Sequence, residues 1–182
     1  ILRSFASGDV AAAEARFRDM LSVARAAYGA ELAMITCSAV PRGLMQKLES
    51  TAGFPVLKID DPMAAMAVRS GGKIGVVVTF EPTLEPTSKL LWEAAQRGGV
   101  SAELVPCVVP EAYHALLGGD PERHDRLMLE AIDKLAAGGV SAIVLAQVSM
   151  ARLQPKLEGR YQVPVFSSLP SSLDAIRKRL TS

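Results

Sequence analysis

The sequence has little of several features that mark specialised classes of protein. Its 182 residues include only two cysteines, too few for a disulfide framework. No apolar run reaches the ~18 residues that a membrane helix needs, because the longest, residues 73–80, ends at Glu81 and Pro82. Neither sign of charge is in excess, since 20 Lys and Arg stand against 19 Asp and Glu. We therefore expect a soluble protein with no membrane partner and no nucleic-acid partner.

Aromatic residues are also few, at 5% against 49% apolar residues overall, so the core must consist mainly of aliphatic side chains. That composition is typical of helices packed on parallel strands and favours an α/β fold. The length allows one large domain or two small lobes. Cys37 and Cys107 both lie in strand-like apolar runs, which predicts reduced thiols in a cytoplasmic protein. No signal peptide is visible, although the chain begins at Ile1.

Apolar spacing and capping residues predict a regular alternation of helices and strands. The predicted helices cover residues 10–28, 41–50, 83–97, 121–137 and 173–180, with a further short helix after Asp60-Asp61-Pro62. The predicted strands cover residues 32–36, 54–59, 74–79, 103–109, 141–146 and 163–166. Strands separated by helices pair in parallel through right-handed crossovers.

The chain contains an internal repeat. Residues 31–42 align with residues 141–152, so that strand, exit turn and following arginine coincide, and Lys47–Glu49 aligns with Lys156–Glu158. The repeat predicts two similar lobes, residues 1–70 and 71–170, with the C-terminal helix 171–182 joining the first. The second half carries an additional strand-helix-strand unit before its Gly-Asp pair, so we expect the first lobe to lack an equivalent unit of about 30 to 40 upstream residues.

Three strand exits supply polar or nucleophilic residues where parallel sheets bind ligands, outside the carboxyl ends of the strands. They are Cys37-Ser38, Thr79 with the turn 81–83, and Gln147-Val148-Ser149. Cys37 and Gln147 occupy corresponding positions of the repeat, which predicts that they face each other across one cleft.

The residue types at these exits indicate chemistry on a small carboxylate. A cysteine just before a helix can form a thiolate that removes a proton or attacks an electrophile. Hydroxyl groups of Ser38, Thr79 and Thr83 could hold a carboxylate, while Glu81 is a second candidate acid or base. His114 and His124 have no metal-ligand spacing to other candidate ligands, so we interpret them as surface residues and predict no metal site. No phosphate-binding glycine loop is present.

Three segments carry a resemblance to a known family. Residues 34–39 (Met-Ile-Thr-Cys-Ser-Ala), 74–79 and 142–147 resemble strand exits of the aspartate/glutamate/hydantoin racemase superfamily. The resemblance implies two pseudo-symmetric Rossmann-like lobes, each a parallel sheet flanked by helices, with the ligand cleft between them. It also implies a cofactor-independent enzyme, a small carboxylate substrate and a homo-oligomer. In such enzymes a cysteine from each lobe flanks the substrate α-carbon.

Carried over position by position, Cys37 matches the catalytic cysteine of the first lobe, and Ser38, with its neighbour Ala39, matches the segment that helps hold the substrate carboxylate. Thr79 and Thr83 fall in a second-lobe segment that usually contacts the carboxylate. Gln147 stands where the second cysteine is expected, and Val148 and Ser149 follow it. An amide neither deprotonates a carbon acid nor usefully protonates a carbanion.

The resemblance and its departure at Gln147 leave several functions open. The first is an isomerase acting on a small carboxylic acid or amino acid, with the Cys37 thiolate as base or nucleophile. The alternatives are a single-cysteine decarboxylase or lyase, and a catalytically lapsed protein that binds a small carboxylate. A two-base racemase would need a base from Glu81 or from an upstream segment.

Overall fold

Two compact units make up the chain. The structure is a computed structural model and describes residue 1 and residues 4–5, 7–38 and 40–180. Contacts between Cα atoms group residues 1–59 into one unit and residues 60–182 into the other. This division falls earlier than the boundary at residue 70 predicted from the sequence, because the helix after residue 60 packs on elements of the second unit. The assignment of residues 1–70, 71–170 and 171–182 to lobes stays a prediction.

The first unit is a small two-stranded parallel sheet with helices. Its elements are helix α1 (Val10–Tyr28), strand β1 (Ala33–Ile35), helix α2 (Arg42–Ala52) and strand β2 (Val56–Lys58). A cluster of buried apolar side chains from both helices and both strands forms its core.

Helix α1 has the limits that its capping residues predict. The Asp9 carboxylate accepts a hydrogen bond from the backbone N–H of Ala12, and Gly29 ends the helix in the left-handed conformation at φ 63°. The same Gly-Asp signal precedes the longest helix of the second unit, where the Asp120 carboxylate accepts from the N–H of Arg123.

The second unit is larger and contains a four-stranded sheet. Its elements are α3 (Asp61–Ala67), β3 (Gly72–Val78), α4 (Leu84–Gly98), β4 (Ala102–Val108), α5 (Pro110–Leu117), α6 (Pro121–Ala137), β5 (Ala142–Leu145), α7 (Gln154–Leu157), β6 (Val165–Ser167) and α8 (Ser168–Leu180). Short 3₁₀ turns cover Val68–Ser70, Glu81–Thr83 and Val148–Leu153. The strand order is β4-β3-β5-β6, and every pair is parallel.

Helices cover both faces of this sheet. Ile74, Val76 and Val78 of β3 pack with α3 and α4 on one face, and Val77 packs with α6 on the other. Gly75 allows α6 to approach closely, since a β-carbon there would lie 2.9 Å from Cδ1 of Leu135. The prediction of an α/β fold with parallel sheets flanked by helices is confirmed.

The two units share one strand register. In the first unit, Ala33 lies opposite Val56 and Ile35 opposite Lys58. At the corresponding positions of the second unit, Ile143 lies opposite Val165 and Leu145 opposite Ser167. The repeat in the sequence is therefore also a repeat in three dimensions within each unit, and Cys37 and Gln147 follow their strands at equivalent places.

The units differ on the outer side of β1. In the second unit, β5 is the counterpart of β1, and β3 pairs with β5 on the edge that faces away from β6. Strand β3 also packs against α6. In the described part of the first unit no strand pairs there, and a groove of about 530 Å³ runs between α1 and residues 33–37. Met20 of α1 is 59% exposed, whereas its counterpart Ala131 is buried. The upstream strand-helix-strand unit expected from the sequence stays a prediction.

Within the described ranges, no helix has the length and hydropathy required to cross a lipid bilayer.

Candidate functional site

Cys37 and Ser38 form the exit turn of β1. The Cys37 carbonyl accepts a hydrogen bond from the N–H of Val40 at 3.2 Å, which closes the turn before α2. The Cys37 side chain is partly buried and contributes to the wall of the groove beside β1. Ser38 is buried, and Ala39, the third residue predicted for this turn, lies outside the described residues.

Lys58 is a feature of this turn that the sequence analysis missed. It is the last residue of β2 and only 4% exposed, and its Nζ donates to the Ser38 carbonyl at 3.3 Å. Lys58 thus contacts the residue that follows Cys37 in the chain, although Lys58 and Ser38 are 20 positions apart in the sequence. The available signal was a lysine inside the apolar run 56–59.

In the second unit the structure brings Thr79 and Gln147 together. They follow β3 and β5, which are neighbouring strands with Val77 opposite Leu145. The backbone N–H of Thr79 donates to Oε1 of Gln147 at 2.7 Å, and the Thr79 hydroxyl donates to the same oxygen at 3.1 Å. Two of the predicted site residues therefore form one hydrogen-bonded pair.

This pair fixes the orientation of the Gln147 amide. A backbone N–H can only donate, so the atom that faces it must be the amide oxygen. Nε2 then lies on the other side of the group with two N–H donors, and it has no acceptor among the residues that the structure describes. The Thr79 hydroxyl donates its proton to Gln147, and its oxygen keeps lone pairs that can accept a hydrogen bond. The predicted contact of Thr79 with a substrate stays a prediction.

The other predicted residues of the second unit lie around this pair. Thr83 is buried, and its hydroxyl donates to the Phe80 carbonyl at 2.7 Å within its own 3₁₀ turn. Val148 and Ser149 are exposed at the start of the turn that follows Gln147, and Glu81 is exposed. Substrate contacts for Thr83, Val148 and Ser149 stay predictions.

His124 is fully buried, so its interpretation as a surface residue was wrong. It shares one face of α6 with Met128 and Ile132, at spacings of four residues, and that face packs on the sheet. Its Nδ1 lies 2.9 Å from Oδ1 of Asp125, while Nε2 has no partner in the described part of the chain. His114 is exposed, as predicted.

Asp125 is a buried carboxylate that pairs with two partly exposed cations. Arg152 Nε lies 3.1 Å from Oδ1, and Lys156 Nζ lies 2.6 Å from Oδ2. Burial raises the pKa of Asp125, but the hydrogen bonds from Lys156 and His124 and the charges of Arg152 and Lys156 outweigh it and leave the pKa below its ordinary value. The carboxylate is therefore ionised at neutral pH.

The second thiol is in a different environment from the first. Cys107 is the penultimate residue of β4, and burial raises the pKa of its thiol, an effect that the charge of Lys134 partly offsets. In the described ranges, no group of three His, Cys, Asp or Glu side chains is arranged to hold a metal ion.

Comparison with known proteins adds the following findings. A model of the family described as Asp/Glu/Hydantoin racemase matches residues 2–176. No protein of curated function matches the sequence.

Several solved structures share the fold. Allantoin racemase from Klebsiella pneumoniae superposes with a TM-score of 0.68 at 22% identity, over 93% of this chain and 66% of that one. Glutamate racemase RacE1 from Bacillus anthracis superposes with a TM-score of 0.60 at 18% identity, over 83% of this chain and 58% of that one. A variant of arylmalonate decarboxylase superposes with a TM-score of 0.59 at 17% identity, over 91% and 74% of the two chains. This chain thus spans little more than half the length of the glutamate racemase.

Proposed function

The chain belongs to the Asp/Glu/hydantoin racemase family, and on this basis we propose that it is a cofactor-independent isomerase of a small carboxylic acid or amino acid, with the Cys37 thiolate as base or nucleophile. The observation that supports this most is the pairing of Thr79 with Gln147, which leaves the amide N–H groups of Gln147 as donors. Cys37 and Gln147 follow equivalent strands, and we propose that both act on one substrate.

In the base route, the Cys37 thiolate removes the hydrogen on the substrate α-carbon. The C–H bond breaks, an S–H bond forms, and the electron pair moves into the carboxylate to give an enolate-like anion. A Gln147 N–H stabilises the developing negative charge on oxygen by a hydrogen bond. If the same thiol returns the proton, the configuration is inverted only when the intermediate has turned its opposite face toward Cys37.

In the nucleophile route, the thiolate adds to a carbon–carbon double bond conjugated to a carboxylate. An S–C bond forms, and the π electron pair moves into the carboxylate. Rotation about the resulting single bond and expulsion of the thiolate give the other geometric isomer. This route needs no second acid or base, so an amide at Gln147 is sufficient for it.

A single-cysteine decarboxylase is the second candidate, and it is favoured by the presence of a thiol at only one of the two equivalent exits, Cys37 and not Gln147. The C–C bond to a malonate carboxyl group breaks, CO₂ leaves, and the electron pair remains as an enolate. The Cys37 thiol then donates its proton to carbon and is reprotonated from water. Protonation from one side yields a single enantiomer.

Recognition of the carboxylate is assigned to residues near the two exits. In the first unit, Ser38 and Ala39 would contact the carboxylate, and Lys58 would supply positive charge. In the second unit, the carboxylate would be contacted by Gln147 together with Thr83, Val148 and Ser149. Thr79 would hold Gln147 in place. A homo-oligomer and a cytoplasmic location complete the proposal.

The reaction is tested with a panel of amino acids, maleate-like dicarboxylates and arylmalonates in D₂O, followed by NMR. The base route is expected to place deuterium on the α-carbon, the nucleophile route to convert the cis acid without deuterium on that carbon, and decarboxylation to release CO₂ with one deuterium in the product. Stabilisation by a ligand without any turnover would indicate a lapsed enzyme instead.

Alkylation should distinguish the two thiols. Near neutral pH we expect iodoacetamide to modify Cys37 at least about tenfold faster than Cys107, because burial raises the pKa of Cys107 and the thiolate is the reacting form. A dicarboxylate that binds the site should slow the reaction of Cys37 only. Mass spectrometry of tryptic peptides measures both rates, and equal rates without protection would remove Cys37 from the proposed site.

Lys58 can be tested through ligand binding. We expect Lys58→Met to raise the dissociation constant of a bound dicarboxylate by at least about tenfold, because charge-assisted hydrogen bonds contribute ~1.5–3 kcal/mol. Lys89→Met is the control, since Lys89 is an exposed lysine of α4 that lies at none of the candidate strand exits. Calorimetric titration gives both constants, and equal constants for the two variants would contradict a binding role for Lys58.

A further inference from the structure

The segment that follows Gln147 is held by apolar and by ionic contacts. The Val148–Leu153 turn and α7 bury Met150, Leu153 and Leu157 against α6 and the sheet. Arg152 and Lys156 of the same segment both pair with the Asp125 carboxylate of α6.

Asp125 is well placed to fix this segment. It is 3% exposed, and His124 of the same helix lies within hydrogen-bond distance of its carboxylate. The carboxylate also pairs with Arg152 and Lys156 of the segment. The segment is in turn connected to Gln147, because the N–H of Met150 donates to the Gln147 carbonyl at 3.0 Å. A continuous set of contacts therefore joins Asp125 to the residue whose side chain is bound by Thr79.

The first unit has the same arrangement at equivalent positions. Glu14 lies five residues after Asp9, as Asp125 lies five residues after Asp120, and Glu14 Oε2 is 3.6 Å from Nζ of Lys47. Lys47 is the counterpart of Lys156 in the repeat. In both units, an acid near the start of the helix before the strand binds a lysine of the helix after the strand exit.

We propose that Asp125 is a positioning residue for the reaction: it holds the segment Val148–Leu157 and thereby sets the place at which the Gln147 amide meets the substrate. This inference rests on the proposed function of Gln147. Asp125 itself does not touch the substrate, and its effect passes through Arg152, Lys156 and the turn.

Asp133 provides a matched control. It lies on the same helix and binds Arg160 at 2.9 Å and the Tyr161 hydroxyl at 2.6 Å, beyond the end of α7. Asp133→Asn therefore removes a carboxylate that also pairs with a later arginine, but leaves the segment after Gln147 untouched.

The test measures backbone amide hydrogen exchange and steady-state kinetics of Asp125→Asn, Asp125→Glu and Asp133→Asn. For Asp125→Asn we expect exchange of the Met150 amide to rise at least tenfold and kcat to fall at least tenfold at a temperature where the protein is folded. In Asp125→Glu we expect kcat to recover by at least half of the loss, measured on a logarithmic scale. In Asp133→Asn we expect no change in kcat or in the exchange rate of the Met150 amide. If Asp125→Asn does not fold, Lys156→Met replaces it, with an expected threefold or larger change in both measurements.

Unchanged exchange at Met150, or equal effects of the Asp125 and Asp133 variants, would overturn the proposal. A fall in melting temperature with kcat unchanged would also overturn it, since this would be a purely structural role. The exchange measurement needs no substrate. If the wild-type protein turns over none of the panel, the proposed function fails while exchange at Met150 still decides whether Asp125 holds the segment.

Discussion

Replacing Cys37 with serine is expected to abolish turnover, with a loss of at least about 10²- to 10⁴-fold, the contribution of one positioned acid or base. A serine hydroxyl has nearly the size of the thiol but is far less acidic, so the base, nucleophile and proton-donor routes all fail. Binding should survive, because neither of the proposed carboxylate contacts Ser38 and Lys58 is altered. The measurement combines kcat with the thermal shift produced by a ligand.

Cys107→Ser is the control for this prediction, because Cys107 lies within strand β4 and has no proposed part in the reaction. Its kcat should remain within about twofold of wild type. Undiminished turnover in the Cys37 variant would assign the chemistry to another residue. Loss of ligand stabilisation together with turnover would instead mean that the cysteine position is needed to form the binding site.

Replacing Gln147 with cysteine is expected to create two-sided proton transfer. The side chain would place a thiol at the strand exit equivalent to that of Cys37, so under the proposed function the substrate would have two thiols available for proton transfer. We expect inversion at the α-carbon, measured by chiral chromatography and by deuterium uptake in D₂O, to rise at least about 10²-fold. Under the decarboxylase alternative, the product should lose enantiomeric purity.

Gln147→Ser separates the effect of the thiol from the loss of the amide. Both variants remove the acceptor of the two Thr79 hydrogen bonds, so both should lose stability to a similar degree. Only the cysteine variant should gain inversion. Equal inversion in the two variants would show that a second thiol is not what the site lacks.

Much of the fold was predictable because its signals are local. Helices α1 and α6 have the limits that Asp9, Asp120 and the glycines after them indicate, and the strands show as apolar runs between helices. Helices α5 and α7 were missed, since each is a short segment that begins at or next to a proline, Pro110 or Pro155, and lacks a full apolar period. The burial of His124 could have been predicted from its spacing to Met128 and Ile132.

The candidate site was predictable only in part. Strand exits, and the correspondence of Cys37 with Gln147, follow from the repeat. The pairing of Gln147 with Thr79 could not be predicted, because the two residues are 68 positions apart in the sequence. They meet only because β3 and β5 are neighbours in the sheet. The contact of Lys58 with Ser38 likewise depends on a strand register that the sequence does not state.

The fixed amide at Gln147 also limits which ligands can be recognised. Because its oxygen already accepts two hydrogen bonds, the free side of the group can only donate. A ligand must therefore turn an acceptor such as a carboxylate, a ureido carbonyl or an enolate oxygen toward Nε2. An α-ammonium group in that position would face two N–H bonds and be repelled. Under the proposed function, the amide would therefore distinguish the two ends of an amino acid and set the direction in which it enters.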